Sequence, residues 1–360
     1  MPKNFNIEKV LVAPLDWGLG HATRCIPIIR GLLSNGYQVV LAAEGLQASL
    51  LRTEFPNLLI LPLVGYRVKY SNKKWMLPFT LIRQLPGLLG IIKKEHAWLQ
   101  QAIKEHKIDL VISDNRYGLS TTLIPCIYIT HQLTIKAPFS WLENLLRKIN
   151  YRYIIQFNAC WVPDVAGDKN AAGLLSHPTL FPNTKVHYLG LLSRFQLIPV
   201  TKKYDYCILL SGPEPQRTLL EKKILLGLDQ IKGTILFVRG KPGSGELLQV
   251  SENVIIKNHL PGNELQEAIL QSEYIISRSG YTTVMELLTL QKKAILIPTP
   301  GQTEQEWLAN WLQKQNLCIT VAQDDFDLAG SMKKAESFSF ETWSLPLFKE
   351  NHILELLKAL

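Results

Sequence analysis

Residues 274–298 read YIISRSGYTTVMELLTLQKKAILIP, and this stretch decides the fold class. Tyr274 to Ser277 is a short apolar run, Gly280 permits a turn, and Thr282 or Thr283 stands where a helix takes its cap. A segment of helical periodicity follows, and Ala294 to Pro298 is apolar again. Strand, turn, helix and strand in such a short space form a β-α-β unit, whose strands run parallel. The pattern repeats outward at Tyr206 to Leu210, Thr234 to Arg239, Asn253 to Lys257 and Cys318 to Val321. It occurs independently in the first half, at Val10 to Pro14, Tyr37 to Ala42, Ile108 to Ser113, Cys126 to Thr130 and Cys160 to Pro163. Ser193 to Asp205, with Pro199, Lys202 and Lys203, has little periodicity and reads as a linker. The expected fold is therefore α/β, with two doubly wound parallel-sheet domains at residues 1–195 and 196–345. A C-terminal helix at 346–360 is expected to return to the first domain. Such sheets bind ligands at the carboxyl ends of their strands, which predicts a site in a cleft that the two domains face.

Composition agrees with a chain of this kind. Its 360 residues exceed one ordinary domain, and 47% hydrophobic with 19% charged residues excludes disorder. Five scattered cysteines, Cys25, Cys126, Cys160, Cys207 and Cys318, lack metal-site spacing and predict a reducing compartment with no structural metal. The opening MPKNFNIEKV has no secretory apolar run, and no stretch has the roughly 18 apolar residues of a spanning helix, so a cytoplasmic location is expected. The formal charge of +9 is uneven, +11 through residue 200 and −2 beyond it. A basic first half suits nucleic acid, an anionic membrane surface or a phosphate-bearing substrate. Nucleic acid ranks lowest, because no RRM, KH or helix-turn-helix pattern accompanies the charge.

Three loops follow strands and precede helices. The first is Asp16-Trp-Gly18-Leu-Gly20-His21-Ala-Thr-Arg24, which lacks the full dinucleotide GxGxxG and also reads as a plain β-α turn. Its His21 sits where catalytic groups of doubly wound enzymes sit, with an imidazole suited to general-base work near neutral pH. The second, Ser211-Gly212-Pro-Glu-Pro-Gln216-Arg217, occupies a phosphate-loop position and equally reads as a rigid turn opening a helix. The third is Ser277 to Glu286, whose backbone N-H groups are expected to point at a phosphate. Glu286 is placed to accept hydrogen bonds from a ribose diol, or serves simply as an acid near a helix start. Polar clusters Asp114-Asn115-Arg116 and His131-Gln132 end successive strands and belong to the same expected cleft. Aromatic residues beside cations, at Lys73, Lys74, Trp75 and Phe79 and again at Phe139, Trp141, Arg147 and Lys148, fit either a buried helix face with a basic rim or a membrane-docking surface.

The stretch Ser277 to Asn310 resembles the donor-binding region of the peptidoglycan lipid-intermediate N-acetylglucosaminyltransferase family and its UDP-sugar glycosyltransferase relatives. Together with the loops at Gly18-Leu-Gly20-His21 and Ser211-Gly212, the resemblance reaches both domains in outline. It implies the B-type fold of two Rossmann-like domains. By position it implies that Ser279, Gly280, Thr282 and Thr283 face the donor phosphates or sugar, Glu286 the ribose and Gln305 the donor sugar. The backbone at His259-Leu260 would contact the base. By the same resemblance His21 and Asp114 form a base-and-orienter dyad. Two departures stand out. The first loop has less glycine than the family's, and the second reads SGPEPQ instead of GGSQGA.

The function so expected is inverting, metal-independent transfer of a sugar from a nucleoside diphosphate donor, UDP-linked, to an acceptor hydroxyl. No cofactor is called for. Helix N-termini after Ser211-Gly212 and Ser279-Gly280, with Gln216 nearby and Arg217 or Arg239 as cations, would stabilise the leaving diphosphate. Asn115, Arg116, His131 and Gln132 would line the acceptor side. A nonhydrolysing nucleotide-sugar epimerase and a noncatalytic nucleotide-sugar or membrane-binding subunit are the alternatives. A peripheral position at the inner membrane face accompanies a lipid-linked acceptor.

Overall fold

The computed structural model describes residues 7–66, 77–246, 248 and 251–360, with the backbone alone over 77–86. Lys73, Lys74 and Trp75, and the side chain of Phe79, lie outside what is described. The chain divides into two compact units, Met1–Arg194 with Pro346–Leu360, and Phe195–Leu345.

The first unit carries β1 (Lys9–Pro14), β2 (Gln38–Ala42), β3 (Leu59–Leu61), β4 (Leu110–Asp114), β5 (Cys126–Ile129), β6 (Ala159–Val162) and β7 (Lys185–Tyr188). They form one seven-stranded sheet in the order β3-β2-β1-β4-β5-β6-β7, every neighbour parallel. Its helices are α1 (Leu19–Ser34), α2 (Gly45–Glu54), α3 (Leu77–His106) and α4 (Ser140–Ile154). Leu11, Ala13, Val40, Val111, Tyr128 and Cys160 fill the core on one face of the sheet. Their strand neighbours Val10, Val12, Ile112, Ile127 and Trp161 are buried as well, as a parallel sheet covered on both faces requires. The apolar runs predict five of these strands. The two not read, β3 (LIL) and β7 (KVHY), are three- and four-residue edge strands in which only Leu61 is buried.

The second unit alternates β8 (Tyr204–Leu209), α5 (Gln216–Gly227), β9 (Ile235–Val238), β10 (Val254–Lys257), α6 (Gly262–Leu270), β11 (Ser272–Ser277), α7 (Tyr281–Thr289), β12 (Lys293–Leu296), α8 (Thr303–Lys314), β13 (Cys318–Thr320) and α9 (Leu328–Ser337). Its six parallel strands are ordered β10-β9-β8-β11-β12-β13. The chain then re-enters the first unit. Leu191 bridges Leu347, Asn35 Nδ2 donates to the Glu350 carbonyl at 3.1 Å, and α10 (His352–Lys358) packs by α1.

Strand order reverses between β1 and β4 in one sheet and between β8 and β11 in the other, and at such switch points the loops diverge and leave a crevice. One expectation about the third loop needs correcting. Neither Thr282 nor Thr283 caps α7: the N-cap is Gly280, in an extended conformation with no side-chain cap, and both threonines lie inside the helix.

Candidate active site

In the first unit, β1 ends at Pro14 directly opposite Asp114, the last residue of β4. Gly18, with φ of 77°, turns the chain into α1, a backbone state that costs an L side chain energy. His21 and Arg24 then follow three residues apart on one face of the first turns, both toward the end of β4. His21 Nδ1 lies 2.9 Å from Asp114 Oδ2. Asp114 is fully buried, whereas 13% of the His21 side chain remains exposed. With Nδ1 held by the carboxylate, Nε2 is left to accept a proton.

Arg24 makes this more than a dyad. Its Nε donates to both Asp114 oxygens, at 3.1 and 2.9 Å, and its Nη2 also donates to Oδ1. Nη2 stands 2.9 Å from His21 Nδ1, and Nη1 stands 3.1 Å from Nδ1 of the buried His131. Burial, and then the Arg24 charge, hold the His21 pKa below its ordinary value against the pull of Asp114. Burial resists ionisation of Asp114, but Arg24 and His21 overcome it and bring the carboxyl down to about 2. The cluster is therefore a carboxylate, a guanidinium and a free imidazole at neutral pH. Sequence reading overlooked Arg24, although its spacing from His21 was the available signal.

The other first-unit candidates divide. Asn115, in the left-handed region at φ of 60°, accepts from Tyr128 through Oδ1 at 3.0 Å, and Gln132 stands half-buried after β5. Arg116 does not line an acceptor face. It is 1% exposed and donates to Glu95 at 2.7 Å and to the Pro14 and Val64 carbonyls, bracing the base of the first loop.

In the second unit, the Ser211-Gly212 loop follows β8 and the Ser279-Gly280 loop follows β11, on either side of the switch point. Ser279 is buried and donates its hydroxyl to the Gln305 carbonyl at 2.8 Å. Gln305 Oε1 accepts from the Thr299 N-H at 2.9 Å. Thr282, Thr283 and Glu286 share one face of α7, at three- and four-residue spacings, with Glu286 8% exposed. His259 is exposed and Leu260 buried in the turn before α6.

The expected cations Arg217 and Arg239 are not available to a ligand. Arg217 donates to Glu214 at 2.7 Å and Glu221 at 3.1 Å, and Arg239 to Glu221 at 2.5 Å and Glu246 at 2.8 Å. The start of α5 is likewise filled from within the chain: the N-H groups of Arg217, Thr218 and Leu219 donate to the Pro213 carbonyl, the Glu214 carboxylate and the Pro215 carbonyl. A carboxylate already occupies the place an incoming phosphate would take there.

Residues 238–338 match the family model described as Glycosyltransferase family 28 C-terminal domain. A UDP-N-acetylglucosamine--N-acetylmuramyl-(pentapeptide) pyrophosphoryl-undecaprenol N-acetylglucosamine transferase of Glaesserella parasuis serovar 5 is 22% identical, over 91% of this chain and 89% of its own. An uncharacterised glycosyltransferase of Methanosarcina mazei is 24% identical over 83% of this chain and 81% of its own. Among solved structures, the glycosyltransferase of kitacinnamycin superposes with a TM-score of 0.65 at 14% identity, over 92% of this chain and 91% of its own. Acinetobacter baumannii MurG does so at 0.55 and 14%, over 98% and 100%. The chain is a glycosyltransferase of the B-type fold, related to the peptidoglycan lipid-intermediate N-acetylglucosaminyltransferase family.

Proposed function

We propose that the protein transfers a sugar from a UDP-linked donor to an acceptor hydroxyl with inversion and without a metal ion. The part-buried His21–Asp114 pair at the sheet's switch point carries this reading. His21 Nε2 takes the acceptor's proton as the oxygen attacks the anomeric carbon and the bond to the diphosphate oxygen breaks to release UDP, and Asp114 fixes the ring and stabilises the imidazolium. The donor belongs to the second unit: Ser279, Gly280 and Thr283 at its phosphates or sugar, Glu286 at the ribose hydroxyls, Gln305 at the sugar, and His259-Leu260 at the base. Several relatives are named for UDP-N-acetylglucosamine, which supports a UDP donor here.

The acceptor is proposed to be lipid-linked, with the protein docked peripherally on anionic membrane at the cytoplasmic face. Trp141, Leu145 and Ile149 form an exposed stripe at four-residue spacing along α4, with Phe139 stacked on Trp141 at 6.3 Å between ring centroids and exposed Lys148 and Arg152 alongside. Among the described residues no helix is long and apolar enough to cross a membrane.

Calorimetry tests the donor assignment. UDP should bind more tightly than other nucleoside diphosphates, and Glu286→Ala should weaken it by about 1 to 3 kcal/mol, the usual loss when a charged hydrogen-bond partner is removed. An unchanged affinity in the folded variant rejects Glu286 as the ribose ligand.

A further inference from the structure

Two buried side-chain atoms at the second unit's switch point have no hydrogen-bond partner, Arg278 Nε and Thr299 Oγ1. They converge on one spot. A Cβ built on Gly212 would lie 3.7 Å from Thr299 Oγ1 and 4.0 Å from Arg278 Nε. Gly212 itself is exposed, and its φ of 103° is a conformation that L side chains rarely adopt. That Cβ position lies within 4.0 Å of both atoms, so the two unpaired groups border the same side of the turn.

The guanidinium is also electrically unmatched. Arg278 is 1% exposed and donates to the carbonyls of Ile297, Pro298 and Gln216, at 3.1, 3.2 and 2.9 Å, and to Gln323 Oε1 at 2.5 Å. Every partner is neutral, and no carboxylate among the described residues pairs with it. Burial pulls it down only to about 10, so the group is charged at neutral pH. A buried cation without a counter-charge is costly unless a ligand supplies one.

We propose that Arg278 Nε and Thr299 Oγ1 form an anion subsite behind the Ser211-Gly212 turn, which takes a phosphate oxygen when that turn shifts outward. Glycine at 212 keeps the subsite free of a side chain. The filled start of α5 and the neutralised Arg217 and Arg239 leave Arg278 as the charge that faces the loop. The subsite rests on the proposed donor chemistry only for the identity of its anion, the diphosphate of a nucleotide.

Titrating the full-length protein with inorganic pyrophosphate, UDP and uridine tests this. Thr299→Val keeps the volume and deletes an unsatisfied buried hydroxyl, so its Tm should equal or exceed that of the unsubstituted protein. Its Kd for pyrophosphate and UDP should rise about two- to tenfold, the worth of one hydrogen bond, while uridine is unaffected. Arg278→Lys keeps a charge but removes the Nε donor and should weaken pyrophosphate too; if it fails to fold, Thr299→Val decides alone. Gly212→Ala, which puts a methyl over the subsite, should abolish the preference for UDP over uridine. The proposal is overturned if the unsubstituted protein does not bind pyrophosphate, or if Thr299→Val binds it equally well. UDP binding indifferent to Thr299 would sink the subsite and leave the donor reading standing. Thr299-dependent pyrophosphate binding with no gain from the nucleoside would do the reverse.

Discussion

Each sheet has a buried arginine beside its switch point, and the two are handled in opposite ways. Arg24 shares the carboxylate of Asp114 and touches two histidines, whereas Arg278 is surrounded by carbonyl oxygens. A matched arginine tunes its neighbours, because the ion pair it forms sets the charge an imidazole feels. An unmatched one waits for an anion. The same contrast runs inverted at the level of whole segments, where the chain through residue 200 carries +11 and the remainder −2. Beside its switch point the first unit thus pairs its arginine with a carboxylate while its segment carries the surplus charge, and the second leaves Arg278 without one although its segment is nearly balanced by count.

The largest effect should come from removing the group that Arg24 and Asp114 serve. His21→Ala is expected to lower turnover about a hundredfold or more, the usual contribution of a positioned general base, with UDP affinity nearly unchanged because the proposed donor residues lie in the other unit. Near-normal turnover at saturating donor and acceptor would remove His21 from the chemistry and leave Arg24 with a purely structural role.

A smaller effect should follow from unbalancing the matched arginine. Burial and then Arg24 depress the His21 pKa, and Asp114 raises it. Arg24→Gln removes a cation and frees the whole Asp114 charge for His21, so the imidazole should hold its proton to higher pH. The acid limb of kcat/KM should therefore move upward, with activity lost first at the low-pH side, and the ¹⁵N titration of His21 should move with it. Arg24→Lys retains the charge and should restore much of the limb. Lower turnover at every pH with an unmoved limb would mean that Arg24 supports the fold only. If Arg24→Gln is unstable, the comparison can be made in the Asp114→Asn background, where removing Arg24 should again raise the His21 titration.

What was legible in the sequence follows from the same physics. Continuous apolar runs mark most strands, so β1, β2, β4, β5, β6 and the six strands of the second sheet can be read directly, while β7, which reads KVHY, carries no such run and β3, though apolar, is only three residues long. The His21–Asp114 pairing followed from family resemblance, and the residues lie 93 positions apart. Arg116, Arg217 and Arg239 were misjudged for one reason: a sequence shows a cation but not the carboxylate that folding delivers to it from Glu95, Glu221 or Glu246. Arg278 was not singled out, because nothing in the sequence says that no acid will meet it.

The smallest and most salt-sensitive effect concerns the surplus charge of the first half. If it serves docking on anionic membrane, liposome binding should require anionic lipid and weaken as salt rises, since each juxtamembrane cation contributes on the order of 1 kcal/mol and is screened within about a Debye length. Changing Lys73, Lys74, Arg147 and Lys148 to Gln should release the protein from such vesicles. Trp141→Ser should weaken binding in a way that salt does not mimic, because the ring contributes apolar area and no charge. Neither change should alter UDP affinity, which is proposed to belong to the second unit. Absence of sedimentation with anionic vesicles at low salt would break the membrane half of the comparison and point to a soluble acceptor, with the +11 then serving an anionic substrate.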